Sequence, residues 1–209
     1  MSYQIPKIND LIIALTENYE EAIKNFSNII ETNSYFKREV ILGDIEPDVG
    51  ESIDAYIRFF NQLDEENNIP VEERQPIKIY VDSGGGDLNA TLTMIDAIQM
   101  SKTPVWTINV GCAYSGGFFT FIAGHKRIAY EHSTFLYHEG STMNGGDAGK
   151  FRNFAEFYDK QLQMLKNITL KYTNISDELY ESKKRDDWWI TSDEAIELGI
   201  CDEIATEII

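Results

Sequence analysis

One stretch carries the clearest indication of the fold class: Ile77-Lys78-Ile79-Tyr80-Val81-Asp82-Ser83-Gly84-Gly85-Gly86-Asp87. It begins as a strand-like run, passes through a glycine-rich turn, and leads into a helical pattern over Leu88–Met100. Pro104 then breaks the chain, and the next apolar run, Val105–Val110, predicts a second strand. Repeated strand–turn–helix units of this kind are typical of an α/β protein.

Working outward from this centre, the apolar periodicity predicts further elements on both sides. Those before it are a helix over residues 8–30, a strand at Glu39–Gly43, a helix over residues 49–63 and a surface loop over residues 64–75. Those after it are a helix at Phe118–Ala123, a strand at Phe135–His138, a glycine-rich stretch at Gly140–Gly149, a long amphipathic helix over about 148–173, and a last helix with a capping box at Thr191–Glu194.

Composition narrows the class of protein. The chain has 209 residues and a net charge of −17, which argues against nucleic acid and anionic membranes as partners. No run reaches the roughly 18 apolar residues of a membrane span, and the N-terminus does not look like a signal peptide. Cys112 and Cys201 lie far apart, so we expect no disulfide framework, no metal site and a cytoplasmic, reducing location.

Ser115 is the first residue that suggests chemistry. It lies in Cys112-Ala113-Tyr114-Ser115-Gly116-Gly117, where small residues allow a sharp turn between an apolar strand and an apolar helix. A helix that starts at this point aims N–H groups at the site, which favours a developing oxyanion. Serine is also a favoured helix N-cap, so the motif alone leaves both interpretations open.

The glycines Gly84, Gly85 and Gly86 form a second motif. Three glycines between a strand and a helix let the backbone approach a ligand and point N–H groups at it. No Gly-Lys-Ser/Thr follows, so this is not a Walker loop. Alone, the motif fits either an anion or carbonyl-oxygen site or a flexible turn.

A base and an orienting carboxylate complete the set that an activated serine requires. His138 ends an apolar strand before a glycine-rich segment, whereas His125 and His132 lie in polar turns where we expect them to be exposed. Asp186 and Asp187 precede Trp188 and Trp189, which predict a partly buried stretch, and a buried carboxylate needs a partner. Only one of two adjacent carboxylates on an extended segment can face a histidine.

Together these motifs resemble the proteolytic subunit of the Clp protease family. Gly85-Gly86 stands where that family has a Ser-Pro-Gly-Gly turn, and Cys112–Phe119 stands where it has Ala-Ala-Ser-Met-Gly-Ala-Phe. Trp189–Asp202 is similar to the family's ending, Phe-Leu-Ser/Thr-Ala-x-Glu-Ala-x-x-x-Gly-Leu-x-Asp, and the strand at Glu39–Gly43 resembles the family's first strand. The resemblance covers about residues 35–205.

The resemblance implies roles for individual residues. Ser115 would be the nucleophile, His138 the general base and Asp187 the orienting carboxylate, and the N–H groups of Gly86 and Gly116 would form the oxyanion hole. The implied fold is the ClpP/crotonase-like spiral of strand–strand–helix units with a long handle helix. The implied protein is a serine endopeptidase without a cofactor. It would cleave unfolded polypeptides inside heptameric rings stacked in pairs and fed by an AAA+ unfoldase.

The sequence departs from the family pattern at several positions. Gly84 replaces the usual proline, Gly116 replaces the methionine after the serine, and Glu139-Gly140 replaces Gln-Pro after the histidine. The Ser115–His138 interval is shorter by about two residues, and Arg185-Asp186 reverses the family's Asp-Arg pair. Residues 1–34 do not resemble the family's pore-lining segment. We therefore divide the chain into a divergent helical segment over 1–34 and a peptidase domain over 35–209.

Two other functions are compatible with this fold. A crotonase-type acyl-CoA enzyme shares the two-amide oxyanion hole but does not need a serine at the helix start. A noncatalytic ring subunit would assemble with an active partner, and fold alone does not decide against it. The segment over residues 1–34 is explained equally well as a helix that modifies access to the chamber and as an extension of the core.

Overall fold

The computed structural model describes residues 37–143 and 145–209. Within them, Val40–Ile209 form one compact unit. The helix predicted over residues 8–30, and with it the segment 1–34, lies outside the described residues, so both remain predictions. No helix in the described ranges is long and apolar enough to cross a bilayer.

Seven strands in this part of the chain form a single sheet. They are β1 (Glu39–Leu42), β2 (Ile77–Ser83), β3 (Val105–Tyr114), β4 (Lys126–Ala129), β5 (Thr134–Tyr137), β6 (Trp188–Thr191) and β7 (Glu203–Ile204). The order is β1-β2-β3-β4-β7, and β5 pairs with both β3 and β6. The β2–β3, β3–β4, β3–β5 and β4–β7 pairs are parallel, whereas β5 and β6 run antiparallel.

Helices connect and cover these strands. The described helices are α1 (Val49–Glu66), α2 (Leu88–Met100), α3 (Gly116–Ile122), α4 (Ala148–Tyr172), α5 (Asp177–Lys183) and α6 (Ser192–Glu197), with a 3₁₀ turn at Val71–Glu73. Asp87 caps α2 by accepting a hydrogen bond from the Ala90 N–H, and the predicted capping box of Thr191 and Glu194 starts α6. The α/β class with a ClpP/crotonase-like arrangement and a long helix near 148–173 is confirmed.

Strand β3 pairs with three other strands, β2, β4 and β5. Its first half pairs with β4 at Trp106–Asn109, and its second half pairs with β5 at Cys112–Tyr114. An irregularity separates the halves, since Val81 pairs with Asn109 but Ser83 pairs with Ala113. Such a bulge increases the local twist of a strand. The end of β3 therefore carries Ser115 towards β5 and the residue that follows it, His138.

Helix α3 is the most buried helix among the described elements. All of its residues from Gly116 to Ile122 are buried. It contacts β2, β3 and β5 on the sheet and α2 and α4 on its other sides. Its start, at Gly116, therefore has little freedom to move relative to the sheet.

Two boundaries predicted from the sequence were wrong, and two elements were missed. β3 continues to Tyr114 rather than ending at Val110, because the Cys112 N–H donates to Asp82 Oδ1 (3.1 Å) and β5 pairs with this segment. α1 continues into the predicted loop, where the Asp64 carboxylate is buried and accepts a hydrogen bond from the Thr103 hydroxyl (2.8 Å). Strand β4 and helix α5 had no predicted counterpart.

Candidate active site

Ser115 lies at the junction of β3 and α3 in an unusual backbone conformation. Its φ is 52° and its ψ is −120°, a region that residues with a side chain rarely adopt. It occupies the N-cap position of α3, but its hydroxyl makes no capping hydrogen bond. The ordinary explanation of this serine, a side-chain N-cap, therefore does not apply.

The neighbouring elements hold Ser115 in this conformation. Its N–H donates to the Leu136 carbonyl on β5 (2.9 Å), and its carbonyl accepts from the Phe119 N–H in α3 (3.2 Å). A strained φ/ψ pair costs about 1–3 kcal/mol and persists only where the surroundings impose it. The strained turn projects the serine side chain away from the helix, as in a nucleophile elbow.

The glycine loop packs directly against this turn. Gly85 and Gly86 have φ values of +98° and +148°. A Cβ atom on Gly86 would lie 2.1 Å from the Ile45 carbonyl oxygen, and one on Gly85 would lie 2.7 Å from Ser115 Cβ. The Ile45 N–H donates to the Gly85 carbonyl (2.8 Å), and the Asp87 N–H donates to the Ile45 carbonyl (2.7 Å). Glycine is required here by both conformation and space.

Two backbone N–H groups approach each other beside Ser115. Gly116 is the first residue of α3, so its N–H has no acceptor within the helix. The position of a Cβ on Gly116 lies 3.4 Å from the Gly86 nitrogen, which makes the two residues close neighbours. An oxygen atom that carries negative charge next to Ser115 could accept hydrogen bonds from such a pair.

A cavity of about 530 Å³ opens at this point. Ser115 and His138 both line it, together with Gly86 and Gly116. Its remaining lining residues come from the glycine loop, α2, α3, the segment after His138, and α4: Gly84, Asp87, Leu88, Asn89, Thr91, Phe119, Glu139, Gly140, Ser141, Thr142, Phe154, Tyr158, Gln161 and Leu165. The cavity is large enough to accept a peptide side chain.

His138 is the first residue after β5, and the residue before it is anchored in the core. Tyr137 is buried, packs edge-on against Phe118 and Phe119, and donates a hydrogen bond to the Tyr180 hydroxyl (2.5 Å). Burial, with Tyr180 as a second cause, raises the pKa of Tyr137, so its hydroxyl remains a donor. This anchor fixes the strand end from which His138 extends into the cavity.

Of the two candidate carboxylates, Asp187 is the one beside His138. Its Oδ1 lies 3.7 Å from His138 Nδ1, which is beyond hydrogen-bond distance. The Asp187 side chain is 65% exposed and that of His138 is 32% exposed. Asp187 does not line the cavity, and Asp186 is exposed.

Ser115 and His138 share the cavity without a direct bond. Among the described residues, no hydrogen bond joins Ser115 Oγ to the His138 ring. Catalytic hydrogen bonds are often long in a protein without substrate and shorten in the complex. The three predicted side chains are therefore brought to one region, in a loose arrangement.

The partial burial predicted for this stretch does not extend to Asp187 or Trp189. Trp189 is 58% exposed, and its ring packs edge-on against Tyr114 with centroids 5.2 Å apart. Trp188 is only partly buried. The reason is geometric, since β5 is the one strand in the described part of the chain that pairs with β6. Asp187 therefore stays in contact with solvent.

The other reactive side chains do not compete with Ser115. Burial, reinforced by Asp82, raises the pKa of the Cys112 thiol to about 11, which keeps it protonated at neutral pH. His125 and His132 are exposed, as predicted. Within the described ranges, no group of three or more His, Cys, Asp or Glu side chains is arranged to hold a metal ion.

Sequence reasoning did not assign three of the lining residues to the cavity: Glu139, Tyr158 and Gln161. The Tyr158 hydroxyl donates to the Glu139 carbonyl (3.0 Å) and so ties α4 to the residue after His138. Gln161 carried a detectable signal, because it is a polar residue within the apolar stripe that contains Tyr158 and Leu165.

Comparison with known proteins shows the family of this chain. The family model described as Clp protease matches residues 40–208. Similar relatives are named ATP-dependent Clp protease proteolytic subunit 2. The protein from Treponema pallidum (strain Nichols) is 29% identical over 84% of this chain and 83% of its own length. The one from Nocardia farcinica (strain IFM 10152) is 27% identical over 86% of each chain. Most of the chain is matched, and we conclude that it belongs to the Clp protease family.

Proposed function

We propose that this protein is a serine endopeptidase that cleaves unfolded polypeptides. The observation that carries the proposal is the strained conformation of Ser115 at the start of α3, in a cavity that it shares with His138 and with the amides of Gly86 and Gly116. Family membership supports the same class of reaction. The relatives' printed names supply the word protease, which we extend to this chain as part of the proposal.

In the first half of the reaction, Ser115 Oγ attacks the carbonyl carbon of the scissile peptide bond, and His138 takes the hydroxyl proton. The Asp187 carboxylate, on the Nδ1 side of the ring, orients His138 and stabilises its charged form, so Nε2 exchanges the proton. The Gly86 and Gly116 N–H groups hydrogen-bond to the oxyanion. His138 then gives its proton to the leaving amine, and an acyl-enzyme remains.

In the second half, His138 removes a proton from a water molecule, whose oxygen attacks the acyl carbon. The same two N–H groups stabilise the second oxyanion. Collapse of this intermediate releases the carboxylic acid, and His138 returns the proton to Ser115 Oγ. Every proton transfer passes through one imidazole, so each step depends on the position of that ring.

The crotonase-type alternative is not favoured, because the family match is to Clp protease. An acyl-CoA enzyme of that type needs the two amides but has no use for a strained serine that lines the cavity. A noncatalytic ring subunit remains as an outcome of the experiment below.

Labelling with a fluorophosphonate probe tests the proposal. We expect covalent labelling of wild-type protein at Ser115, identified by peptide mass mapping, and none of Ser115→Ala. Ser52→Ala is a matched control, because Ser52 lies on α1 and its hydroxyl donates to the Asp48 carbonyl, away from the cavity. Absence of labelling in folded wild-type protein, together with absence of peptidase activity, would favour the noncatalytic subunit.

We also propose that the chain assembles into rings, seven-membered and stacked in pairs as the family resemblance implies. Helix α4 bears exposed apolar side chains on its N-terminal and middle turns, at Phe151 (54% exposed), Phe157 (54%) and Met164 (49%). Ile41 on β1 and Met100 at the end of α2 are also exposed (77% and 76%). Apolar surface of this extent on one helix is typical of a subunit interface.

Sedimentation of the wild-type chain checks the ring. We expect an assembly many times the 23.9 kDa mass of one chain, and a shift towards smaller species in Phe157→Ser. Ala155→Ser introduces the same residue two positions earlier on the exposed surface of α4 and should leave the assembly unchanged. A stable monomer near 24 kDa at micromolar concentration would contradict the proposal.

An AAA+ unfoldase is the proposed source of unfolded substrate, since the relatives are named ATP-dependent. No step of the mechanism above uses ATP. We therefore expect unstructured peptides to be cleaved without ATP, and folded proteins to be degraded only when an unfoldase and ATP are added. Degradation of folded proteins by this chain alone would contradict the proposal that an unfoldase supplies its substrate.

A further inference from the structure

Gln161 lies in the wall of the cavity that contains Ser115. It occupies α4, one turn after Tyr158 and one turn before Leu165, and it is only 8% exposed. Within residues 37–143 and 145–209, no hydrogen-bond partner exists for its side-chain amide. A carboxamide without a partner can both donate hydrogen bonds to and accept them from a polar group that enters the cavity.

Other buried polar side chains nearby do have partners. The Thr169 hydroxyl donates to the Leu165 carbonyl (2.9 Å), and the Asn109 amide donates to the Thr134 carbonyl (3.0 Å). No fully enclosed side-chain nitrogen or oxygen among the described residues lacks a partner. The Gln161 amide therefore meets open space, and the space it borders is the cavity.

The surroundings of Gln161 indicate what the cavity accepts. Phe119, Phe154 and Leu165 give it apolar walls, which suit an apolar stem. Asp87 and Glu139 also line it and disfavour an anionic group. The Asp87 carboxylate already accepts the Ala90 N–H, and a cationic tip placed at Gln161 itself would exchange its hydration for a neutral amide, which is unfavourable. An uncharged tip that can donate and accept hydrogen bonds remains.

We propose that Gln161 selects the side chain of the substrate residue whose carbonyl Ser115 attacks, and that it favours a long side chain with an uncharged hydrogen-bonding tip, such as glutamine or tyrosine. This inference rests on the proposed peptidase function. The attacked carbonyl carbon lies beside Ser115 Oγ. The Cα atom bonded to that carbon carries the side chain of the same substrate residue, and this side chain is the one that we expect to enter the cavity. A substrate glutamine and Gln161 each carry an NH2 group that donates and a carbonyl oxygen that accepts, so the two side chains can exchange two hydrogen bonds.

Fluorogenic peptide amides that differ only in their last residue test the inference. The pairs Gln against Met and Tyr against Phe have similar shapes and differ in the polar tip. In wild-type protein, we expect the Gln/Met and Tyr/Phe ratios of kcat/KM to exceed those of Gln161→Leu by about 5–10-fold, the effect of one hydrogen bond. Most of the change should come from slower cleavage of the polar member.

Two variants separate recognition from damage to the fold. Gln161→Met keeps the length of the side chain and should give the same loss of preference as Gln161→Leu. Gln163→Leu is the matched control, because Gln163 is exposed on the same helix and its amide donates to Asn167 Oδ1 (3.0 Å). Its ratios should equal those of wild type. Unchanged ratios in both Gln161 variants, or a wild-type preference for Lys over Gln, would overturn the inference.

A binding measurement keeps this inference distinguishable from the proposed function. In Ser115→Ala protein, a product peptide ending in Gln should bind about 5–10-fold more tightly than in Ser115→Ala/Gln161→Leu, whereas a peptide ending in Met should bind the two equally. Equal affinities for the Gln peptide overturn the inference even if the wild type is an active peptidase. The expected difference supports it even if no turnover is detected.

Discussion

The two halves of the candidate site are built differently. The half that contains Ser115, Gly86 and Gly116 lies on a fully buried helix and on a loop whose glycines touch neighbouring backbone. The half that contains His138 and Asp187 lies near the surface, with side chains 32% and 65% exposed and 3.7 Å between their nearest polar atoms. One subunit thus holds the nucleophile and oxyanion donors rigidly but leaves the base and its orienting carboxylate loosely arranged.

This difference suggests that completion of the site depends on something that covers the exposed half. A carboxylate in water orients a histidine weakly, since the interaction is screened and competes with hydration. Burial by substrate or by a neighbouring copy would strengthen it. The four predictions below test each half, from the largest expected effect to the smallest.

Ser115→Ala should have the largest effect, because it removes Oγ, the atom that forms the covalent bond to the substrate. We expect peptidase activity to fall by about 10³–10⁶-fold, with the rest arising from binding and the oxyanion donors. The rigid half should keep its structure, so thermal denaturation should stay within a few degrees of wild type. An alanine variant that cleaves unstructured peptides as fast as wild type would disprove the assignment.

Asp187→Asn should come next and sharpens the comparison on the exposed side. It removes the charge beside His138 Nδ1 and favours the wrong tautomer, so we expect a loss of about 10²–10⁴-fold in kcat/KM. Asp186→Asn is the matched control and should remain within about twofold of wild type, as for most exposed substitutions. If Asp186→Asn were the more damaging change, the two assignments would be exchanged.

Gly86→Ala probes the rigid half through its backbone. The new Cβ would lie 2.1 Å from the Ile45 carbonyl oxygen, so the loop must move and its N–H must leave its place. We expect a loss of about 10²–10³-fold in kcat, as for removal of one oxyanion donor, together with a lower melting temperature. Gly43→Ala, which meets nothing within 4 Å, controls for the substitution itself. Equal activity in both variants would argue against Gly86 as a donor.

Tyr158→Phe should have the smallest effect. It removes only the hydrogen bond from the Tyr158 hydroxyl to the Glu139 carbonyl and keeps the stacked ring contact with Phe154. One such bond contributes about 0.5–1.5 kcal/mol, so we expect kcat to fall by about 2–10-fold through a less ordered His138. Labelling of Ser115 by a fluorophosphonate should slow by a similar factor. No change in either rate would show that α4 does not position the base.

The sequence carries clearer signals for the rigid half than for the exposed half. Ser115, Gly86 and Gly116 stand in local motifs, where the conformational freedom of glycine and the start of a helix are visible in a few residues. Asp187 could not be separated from Asp186 on chemistry alone, and the partial burial predicted from Trp188 and Trp189 is found at Trp188 but not at Trp189. Whether an aromatic residue is covered depends on which strands lie beside it, and among the described strands β6 pairs with β5 alone.

By itself, then, the sequence determined the α/β class, the order of most elements and the residue types of the site, because strand alternation, helical periodicity and glycine turns are local properties. Three features are visible only in the tertiary structure: β3 continues to Tyr114, Ser115 adopts a φ of 52°, and Gln161 borders the cavity with no hydrogen-bond partner among residues 37–143 and 145–209. These features depend on pairing and packing between residues far apart in the chain, and no local pattern encodes them.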